Sequence, residues 1–455
     1  MIRLFHVYFP IRTLTLALSE GLIVACALLA ARVLWYRAAP ASGAEILQLV
    51  VSWVVCVTCM YYYDLYESIV LERTFEALAR LVQVLGTSCL ILSFLFYVFP
   101  DLQWGRRALI TWIISSVVLI ALWRYTFLSL SDRSAFVQRA LLIGHSTIAT
   151  QLQEELETRK ELGIRIVGSA GFGADRPETS TLPYLGPISS LVATIERYQI
   201  STIVLCSADR SIQLPVDELL QLKSRGLRIV DGCKMYEAIT GRIALESLPH
   251  SSLLFSEGFR LSLPFRIYKR TCSLLGSIVG LIIAAPLMAL VAIAVRLDSK
   301  GPALFRQRRI GKEGKPFWLY KFRTMRHEQD DGRPASLNDG RFTRLGKWLR
   351  RTRMDELPQF FNILRGDMCF IGPRPFECNM EASLASQISL YRQRWNIWPG
   401  TTGWAQVQRG YCETLEDNVD KLRYDLYYIK HLSPALDFVI LLKTAKILLL
   451  WRGSR

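Results

Sequence analysis

Arg350-Arg351-Thr352-Arg353-Met354-Asp355-Glu356-Leu357-Pro358-Gln359 sets two adjacent carboxylates directly after three arginines in four positions. Pro358 suits the first turn of a helix, where its missing N–H costs nothing. Leu357, Phe361 and Leu364 follow at i, i+4 and i+7, an apolar helix face, and Gly366 is a natural stop. The spacing therefore predicts that Asp355 and Glu356 open a short amphipathic helix. Helix N-termini present free N–H groups that attract phosphate. The plainer reading is that an acidic first turn complements the helix dipole, and the rest of the chain decides against it.

Outward from this stretch the chain is basic. Residues Lys300 to Pro375 hold 18 Lys+Arg against 8 Asp+Glu, +10 of a net +16 over 455 residues. Such a block suits nucleic acid, anionic lipid or a phosphorylated substrate. No nucleic-acid-binding signature is present, and long apolar segments lie alongside, so lipid and phosphate are the expected partners, with no nucleic acid. The ten cysteines are scattered. Cys56 and Cys59 form a CxxC inside an apolar run with no second pair, and read as small buried apolar residues.

Four apolar stretches fill the first third, near Leu14–Leu34, Ile46–Tyr63, Leu81–Phe99 and Ala108–Leu128. Each approaches the roughly 20 residues a spanning helix requires. Trp35, Tyr36, Tyr61, Tyr62, Tyr63, Tyr97 and Trp104 lie near the expected ends, as interfacial aromatics do. Residues 1–130 are thus expected to form a four-helix transmembrane domain. Arg3, Arg12, Arg133 and Arg139 place both flanks in the cytoplasm, although Arg106 and Arg107 fall in a loop that would face outward.

Residues 139–261 read as a soluble α/β domain. Ala140–Gly144, Ile164–Gly168, Thr202–Cys206 and Leu227–Val230 are strand candidates, with helices expected at Ile148–Leu156 and Val216–Lys223. That alternation predicts a parallel, Rossmann-like sheet. The dinucleotide fingerprint is degenerate: Gly144 is followed by His145, Ser146 and Thr147, and Ser146 stands where backbone must approach a pyrophosphate. A structural or regulatory role is expected, with His145 a turn residue.

A fifth apolar segment, 272–295, carries Pro286 near its middle and strong positive charge on both sides. Positive flanks stay cytoplasmic and proline bends a helix. A re-entrant membrane helix broken at Pro286 is expected, with a kinked full span as the alternative. Beyond it, arginines and lysines sit beside Gly and Pro turns, above all Arg374 in Gly372-Pro373-Arg374-Pro375, an arrangement suited to oxyanions. The loop Arg326–Arg341 is polar. Leu436–Trp451 is apolar but interrupted by charge, as an interfacial amphipathic helix would be.

Several of these pieces together resemble the bacterial sugar transferase family, the monotopic polyprenyl-phosphate phosphoglycosyltransferases. They are Lys269-Arg270, the segment with Pro286, Gly301-Pro302, Gln307-x-Arg309-x-Gly311, Lys321-Phe322-Arg323-Thr324-Met325, Asp355 to Gln359, Arg365-Gly366-Asp367-Met368, Gly372 to Pro375, and Pro399-Gly400 through Gln406. With four spans and a Rossmann-like domain ahead, the chain is similar to the large form that initiates exopolysaccharide synthesis. Tyr424 to Lys430 resembles the subgroup associated with exosortase gene clusters. Ser273, Ala285, Gly340 and Phe376 depart from common family residues.

The resemblance implies a catalytic domain over 266–455, anchored in the bacterial inner membrane and facing the cytoplasm. The reaction it implies moves a sugar 1-phosphate from a UDP-sugar to polyprenyl phosphate, releasing UMP. Asp355 would be the nucleophile and, with Glu356, a ligand of Mg²⁺; Glu356 would either help hold the metal or activate the acceptor. Substrate contacts are expected from Gln307, Arg309, Lys321, Arg323, Arg353, Arg374 and Gln406. Partners compatible with it are the bilayer, a second copy of the chain and polysaccharide-assembly proteins. Two rivals are a membrane-anchored NAD-dependent nucleotide-sugar epimerase or dehydratase and a non-catalytic scaffold. The first needs a Tyr-x-x-x-Lys pair, but Tyr184, Tyr198 and Tyr236 are followed four places on by Ile188, Thr202 and Thr240.

Overall fold

A computed structural model describes residues 2–4, 7–9, 11–36, 43–66, 74–100, 105–131, 137–144, 146–159, 162–171, 182–206, 216–245, 259, 261–326, 340–409 and 414–450. His145, Trp104, Arg133 and most of the polar loop, 327–339, lie outside them. The chain divides into two compact units, one running essentially to Met235 and the other from Tyr236.

The first unit holds four apolar helices, α1 (Ile11–Tyr36), α2 (Gly43–Tyr62), α3 (Thr74–Val98) and α4 (Arg106–Ser131). Each is long and apolar enough to cross a membrane. They share one core, in which Val24, Cys56, Cys59, Leu85, Trp112 and Ile120 are buried. Both cysteines are therefore packing residues, as expected. The sequence reading passed over Glu20 of α1 and Arg124 of α4. They meet inside the bundle, Arg124 Nε and Nη2 donating to Glu20 at 2.5 and 3.0 Å, and Nη2 also donates to Leu65 O. Only such mutual neutralisation makes either charge tolerable among apolar helices.

The rest of this unit is a five-stranded parallel sheet: β1 (Gln138–Ile143), β2 (Ile164–Gly171), β3 (Tyr184–Pro187), β4 (Thr202–Leu205) and β5 (Arg228–Asp231), in spatial order β3-β2-β1-β4-β5. Four strands coincide with the expected apolar runs. The fifth, β3, is short and sits at the edge. The connecting helices are α5 (Thr147–Thr158), α6 (Leu191–Tyr198) and α7 (Val216–Ser224), with α8 (Gly232–Thr240) after β5. Leu141, Ile143, Ile203, Leu191 and Leu219 form its core. At the crevice where strand order reverses, Ser146 Oγ donates to Cys206 O, tying the ends of β1 and β4 together.

The second unit is organised on α9 (Leu263–Asp298), a 36-residue helix. At about 1.5 Å per residue it is about 54 Å long. It differs from the expectation at Pro286, which lies inside it without interrupting it. A proline costs one backbone bond, and flanking turns can retain helical geometry. One stripe of α9 is buried: Lys269, Ser273, Ser277, Ala284, Val291 and Val295. The opposite side exposes Leu275, Val279, Ile282, Ile283, Leu290 and Ile293. Backbone approach along the stripe is close; a Cβ at Gly276 would stand 2.7 Å from the Phe370 ring. The charges read as topological flanks have local work here. Lys269 Nζ lies 3.3 Å from Asp437 and donates to Tyr428 Oη, while Arg270 Nη2 donates to Leu364 O at 2.8 Å.

Around α9 stand the hairpin β6 (Leu304–Ile310) and β7 (Pro316–Phe322), α10 (Arg344–Arg351), α11 (Gln359–Arg365), and the parallel pair β8 (Cys369–Ile371) and β9 (Gly400–Thr402). Then come α12 (Cys378–Gln387), α13 (Trp404–Gln408), α14 (Leu415–Lys430) and α15 (Pro434–Leu449). The end of α9 packs through Val291 and Val295 on Phe322 of β7 and Leu349 of α10.

Replacing Glu20 with Ala strands the Arg124 guanidinium in an apolar interior. Losing one partner of a buried pair costs about 3–5 kcal/mol. The expected result is a clearly lower melting temperature for the detergent-solubilised protein, with Glu20→Leu/Arg124→Met recovering much of the loss. A single variant that melts like the parent would show the pair to be dispensable.

Candidate active site

The acidic pair is held by what flanks it. Met354 and Leu357 pack into the cluster of Val291, Val295 and Leu349, so the turn carrying Asp355 and Glu356 is pinned to α9 on both sides. Met354–Glu356 forms a single 3₁₀ turn, entered through Arg353 at φ 60°, a left-handed conformation rare for a β-carbon-bearing residue. The helix proper, α11, begins at Gln359 with Pro358 before it. The pair therefore precedes the helix instead of opening it.

The expected apolar face of that helix is also displaced. Phe361 and Leu364 are exposed, and the buried side is Gln359, Asn362 and Ile363. Asn362 explains the choice. It accepts from Tyr320 N at 3.0 Å and donates to Trp318 O at 2.6 Å, satisfying the open edge of β7. A side-chain amide that supplies both bonds an edge strand lacks belongs inside.

Glu356 Oε1 is the focus of positive charge. Arg374 Nη2 donates to it at 2.9 Å, Lys321 Nζ at 3.3 Å, and Arg353 Nη1 stands 3.6 Å away. Burial pushes the Glu356 carboxyl up, but Arg374, Lys321 and Arg353 outweigh it and hold the group well below its ordinary range. Asp355 goes the other way. Burial and then the neighbouring Glu356 charge raise it, with Lys321, Arg350 and Arg353 only partly offsetting them. Asp355 is buried and its Oδ1 has no hydrogen-bond partner. Neighbouring carboxylates whose proton affinities are driven apart are a mark of divided chemical roles.

Beside the pair, Arg309, Leu319, Lys321, Gln359, Arg374, Pro375 and Gly400 line one small cavity. Gln307, Arg309, Leu319 and Lys321 come from one face of the hairpin, because alternate strand residues share a side. Arg309 donates to Gln307 Oε1 and, at 3.2 Å, to Pro375 O. Burial and the nearby Arg374 charge lower Arg309 to about 10, still a cation at neutral pH. Glycine is required at the back wall: a Cβ on Gly400 would meet Gly372 N at 2.1 Å.

Of the seven basic and amide candidates, Gln307, Arg309, Lys321, Arg353 and Arg374 gather around the acidic pair and its cavity. Arg323 and Gln406 do not. Arg323 Nη2 donates to Ser299 O at 2.6 Å and caps the end of α9. Gln406 Nε2 donates to Thr401 O at 3.2 Å and braces the turn behind Gly400. Gln359, which lines the cavity, was not among the expected contacts, although it closes the acidic stretch and belongs to the Asp355–Gln359 piece of the resemblance. Among the described residues no group of three or more His, Cys, Asp or Glu side chains could hold a metal. Two carboxylates are nevertheless a usual protein share for Mg²⁺, substrate phosphates supplying other ligands, and the unpartnered Asp355 oxygen is a fitting donor.

The profile of the family described as bacterial sugar transferase matches residues 265–450, and that of a CoA-binding domain matches residues 61–213. A UDP-glucose:undecaprenyl-phosphate glucose-1-phosphate transferase of Xanthomonas campestris pv. campestris is 31% identical over 454 residues, covering 93% of this chain and 90% of its own. The chain belongs to the bacterial sugar transferase family. Two further relatives are similar over shorter stretches. A UDP-N-acetylgalactosamine-undecaprenyl-phosphate N-acetylgalactosaminephosphotransferase of Aeromonas hydrophila is 39% identical, over 48% of this chain and 52% of its own. An undecaprenyl-phosphate glucose phosphotransferase of Komagataeibacter xylinus is 34% identical, over 68% and 58%. The chain thus spans little more than half the length of these two relatives. None of the three names carries an exosortase association.

The sign of the Glu356 shift gives a pH test. Its value folded lies below its value unfolded, so the stabilisation is complete above the ordinary 4.5 and is lost as pH falls through the folded value. Glu356→Gln should therefore flatten the loss of thermal stability between about pH 5 and pH 3. Parallel curves for the two proteins would contradict the charge arrangement described.

Proposed function

We propose that the chain transfers a sugar 1-phosphate from a UDP-sugar to polyprenyl phosphate, releasing UMP and leaving a polyprenyl diphosphate-sugar. The observation that carries this reading is the acidic turn itself. A buried Asp355 with a free oxygen lies beside a Glu356 neutralised by three cations, and both are pinned to an apolar helix. Family membership supports it, as do relatives whose names share a UDP-sugar or an undecaprenyl phosphate while differing in the sugar.

In this reading Asp355 Oδ1 attacks the phosphorus that bears the sugar. The P–O bond to UMP breaks, and UMP leaves with that electron pair. An oxygen of polyprenyl phosphate then attacks the same phosphorus and returns the carboxylate. Arg374, Lys321 and Arg309 hold the diphosphate and offset the repulsion between carboxylate and phosphate. Gln307 orients Arg309, and Arg353 holds Glu356. Asp355 and Glu356 would hold Mg²⁺, which supplies charge neutralisation at phosphate oxygens when bound.

The acceptor is a lipid, so the site must sit at headgroup level. The packing of α9 supports this: Lys269 near one end, Gly276 in the body and Val295 near the other end all contact the same unit. A helix crossing a bilayer would carry one end about 30 Å away, to the far side. We therefore read α9 as lying in one leaflet with its exposed face in lipid, α1 to α4 as crossing, and the catalytic unit as facing the bacterial cytoplasm.

The test is UMP release by the reconstituted full chain with polyprenyl phosphate, Mg²⁺ and a panel of UDP-sugars. One donor should give turnover, and chelation should stop it. Asp355→Asn should reduce kcat by at least about three orders of magnitude while remaining in the membrane fraction. Substantial turnover by that variant would defeat the nucleophile assignment, and no UMP from any donor would defeat the function.

A further inference from the structure

Arg394 touches neither Asp355 nor Glu356, yet it is among the most fully bonded side chains in the second unit. It lies in the 3₁₀ turn Tyr391–Asn396 and is 5% exposed. Its Nε donates to Asp425 Oδ2 at 2.9 Å, and its Nη1 to Glu381 Oε1 at 3.2 Å and to Tyr391 Oη. The remaining nitrogen, Nη2, donates to the backbone oxygen of Arg374 at 2.8 Å.

That last bond belongs to a larger clamp. Pro375 O accepts from Arg309 at 3.2 Å, Phe376 N donates to Glu381 Oε1 at 3.2 Å, and Phe376 O accepts from Ile310 N at 3.4 Å. Pro375 has no N–H. Every backbone polar group from Arg374 O to Phe376 O is thus tied down. The Phe376 ring completes it, 4.9 Å from the Arg394 guanidinium. The side chain leaving this clamped backbone is the Arg374 guanidinium that donates to Glu356.

We propose that Arg394 is a positioning residue: anchored by Glu381 and Asp425, it fixes the Arg374 carbonyl and so aims the Arg374 guanidinium at Glu356 and the donor's diphosphate. Burying one cation between two carboxylates is an expensive way to gain stability, since apolar residues of similar volume often serve as well. It is an effective way to fix a geometry, because a planar guanidinium directs its bonds along set lines and an ammonium does not. The inference rests on the transferase reading.

The experiment is a double-mutant cycle on kcat for UMP release by the reconstituted full chain, at saturating donor and acceptor, with melting temperatures recorded for all four proteins. Arg394→Lys keeps the charge and loses the fork. It should lower kcat about 10- to 100-fold in the parent, but less than about 3-fold in the Arg374→Ala background, where no guanidinium is left to aim. A merely structural role would cost the same factor in both backgrounds, and that result overturns the inference. Should Arg394→Lys not fold, Glu381→Gln, which keeps the shape and removes the anchoring charge, runs through the same cycle with the same two readings. A parent protein that releases no UMP overturns the transferase reading and this inference together. An active parent with equal losses overturns this inference alone.

Discussion

Two carboxylates adjacent in sequence cannot be buried together unless positive charge is fixed beside them. In this chain that charge arrives from three separate places: Lys321 on a strand, Arg353 in a strained turn, and Arg374 between two prolines. All three converge on Glu356 and leave Asp355 with a free oxygen and a raised proton affinity. The asymmetry follows from which carboxylate the cations reach. The other second-unit features close to the site serve that convergence. The hairpin presents Lys321 and Arg309 on one face, and the glycine-lined pair β8 and β9 brings the Gly-Pro-Arg-Pro run close.

The same arrangement ties the acidic turn to a long apolar helix. Met354 and Leu357 bracket the acids and pack on the stripe that runs along α9, while the far side of α9 exposes aliphatic residues such as Leu275, Val279, Ile282 and Leu290. A shift of α9 relative to β7 and α10 would therefore move the acidic turn directly.

Legibility in the sequence followed the range of the interactions involved. The parallel sheet was readable because strands buried on both faces appear as continuous apolar runs; β3, a four-residue edge strand holding Gly186 and Pro187, gives no such run. The four long apolar helices were readable from length and composition. What pattern could not give was any pairing of distant residues. Glu20 with Arg124 and Arg394 with Asp425 are invisible to periodicity. Arg323 and Gln406 belong to recognisable motifs, yet the structure uses one as a helix cap and the other as a brace. The misplaced face of α11 has the same origin. Apolar spacing marks a face that avoids water, and lipid satisfies that requirement as well as a protein core does. Phe361 and Leu364 point away from the core, and the polar Asn362 points in because an edge strand needs its amide.

In a membrane-associated enzyme the usual inversion of polarity holds on one side only. Residues facing lipid look like core, while residues facing the chemistry look like surface, and both occur on helices of two turns. Buried polar groups are then the more informative class. Asn362, Lys269, Arg394 and Glu20 are each buried and bonded, and each fixes the relation between two elements that apolar packing alone would leave free to slide. Hydrocarbon contact is non-directional, whereas an amide or guanidinium bonds along set lines. Where a fold has lipid competing for its apolar surface, orientation has to come from these few directional contacts.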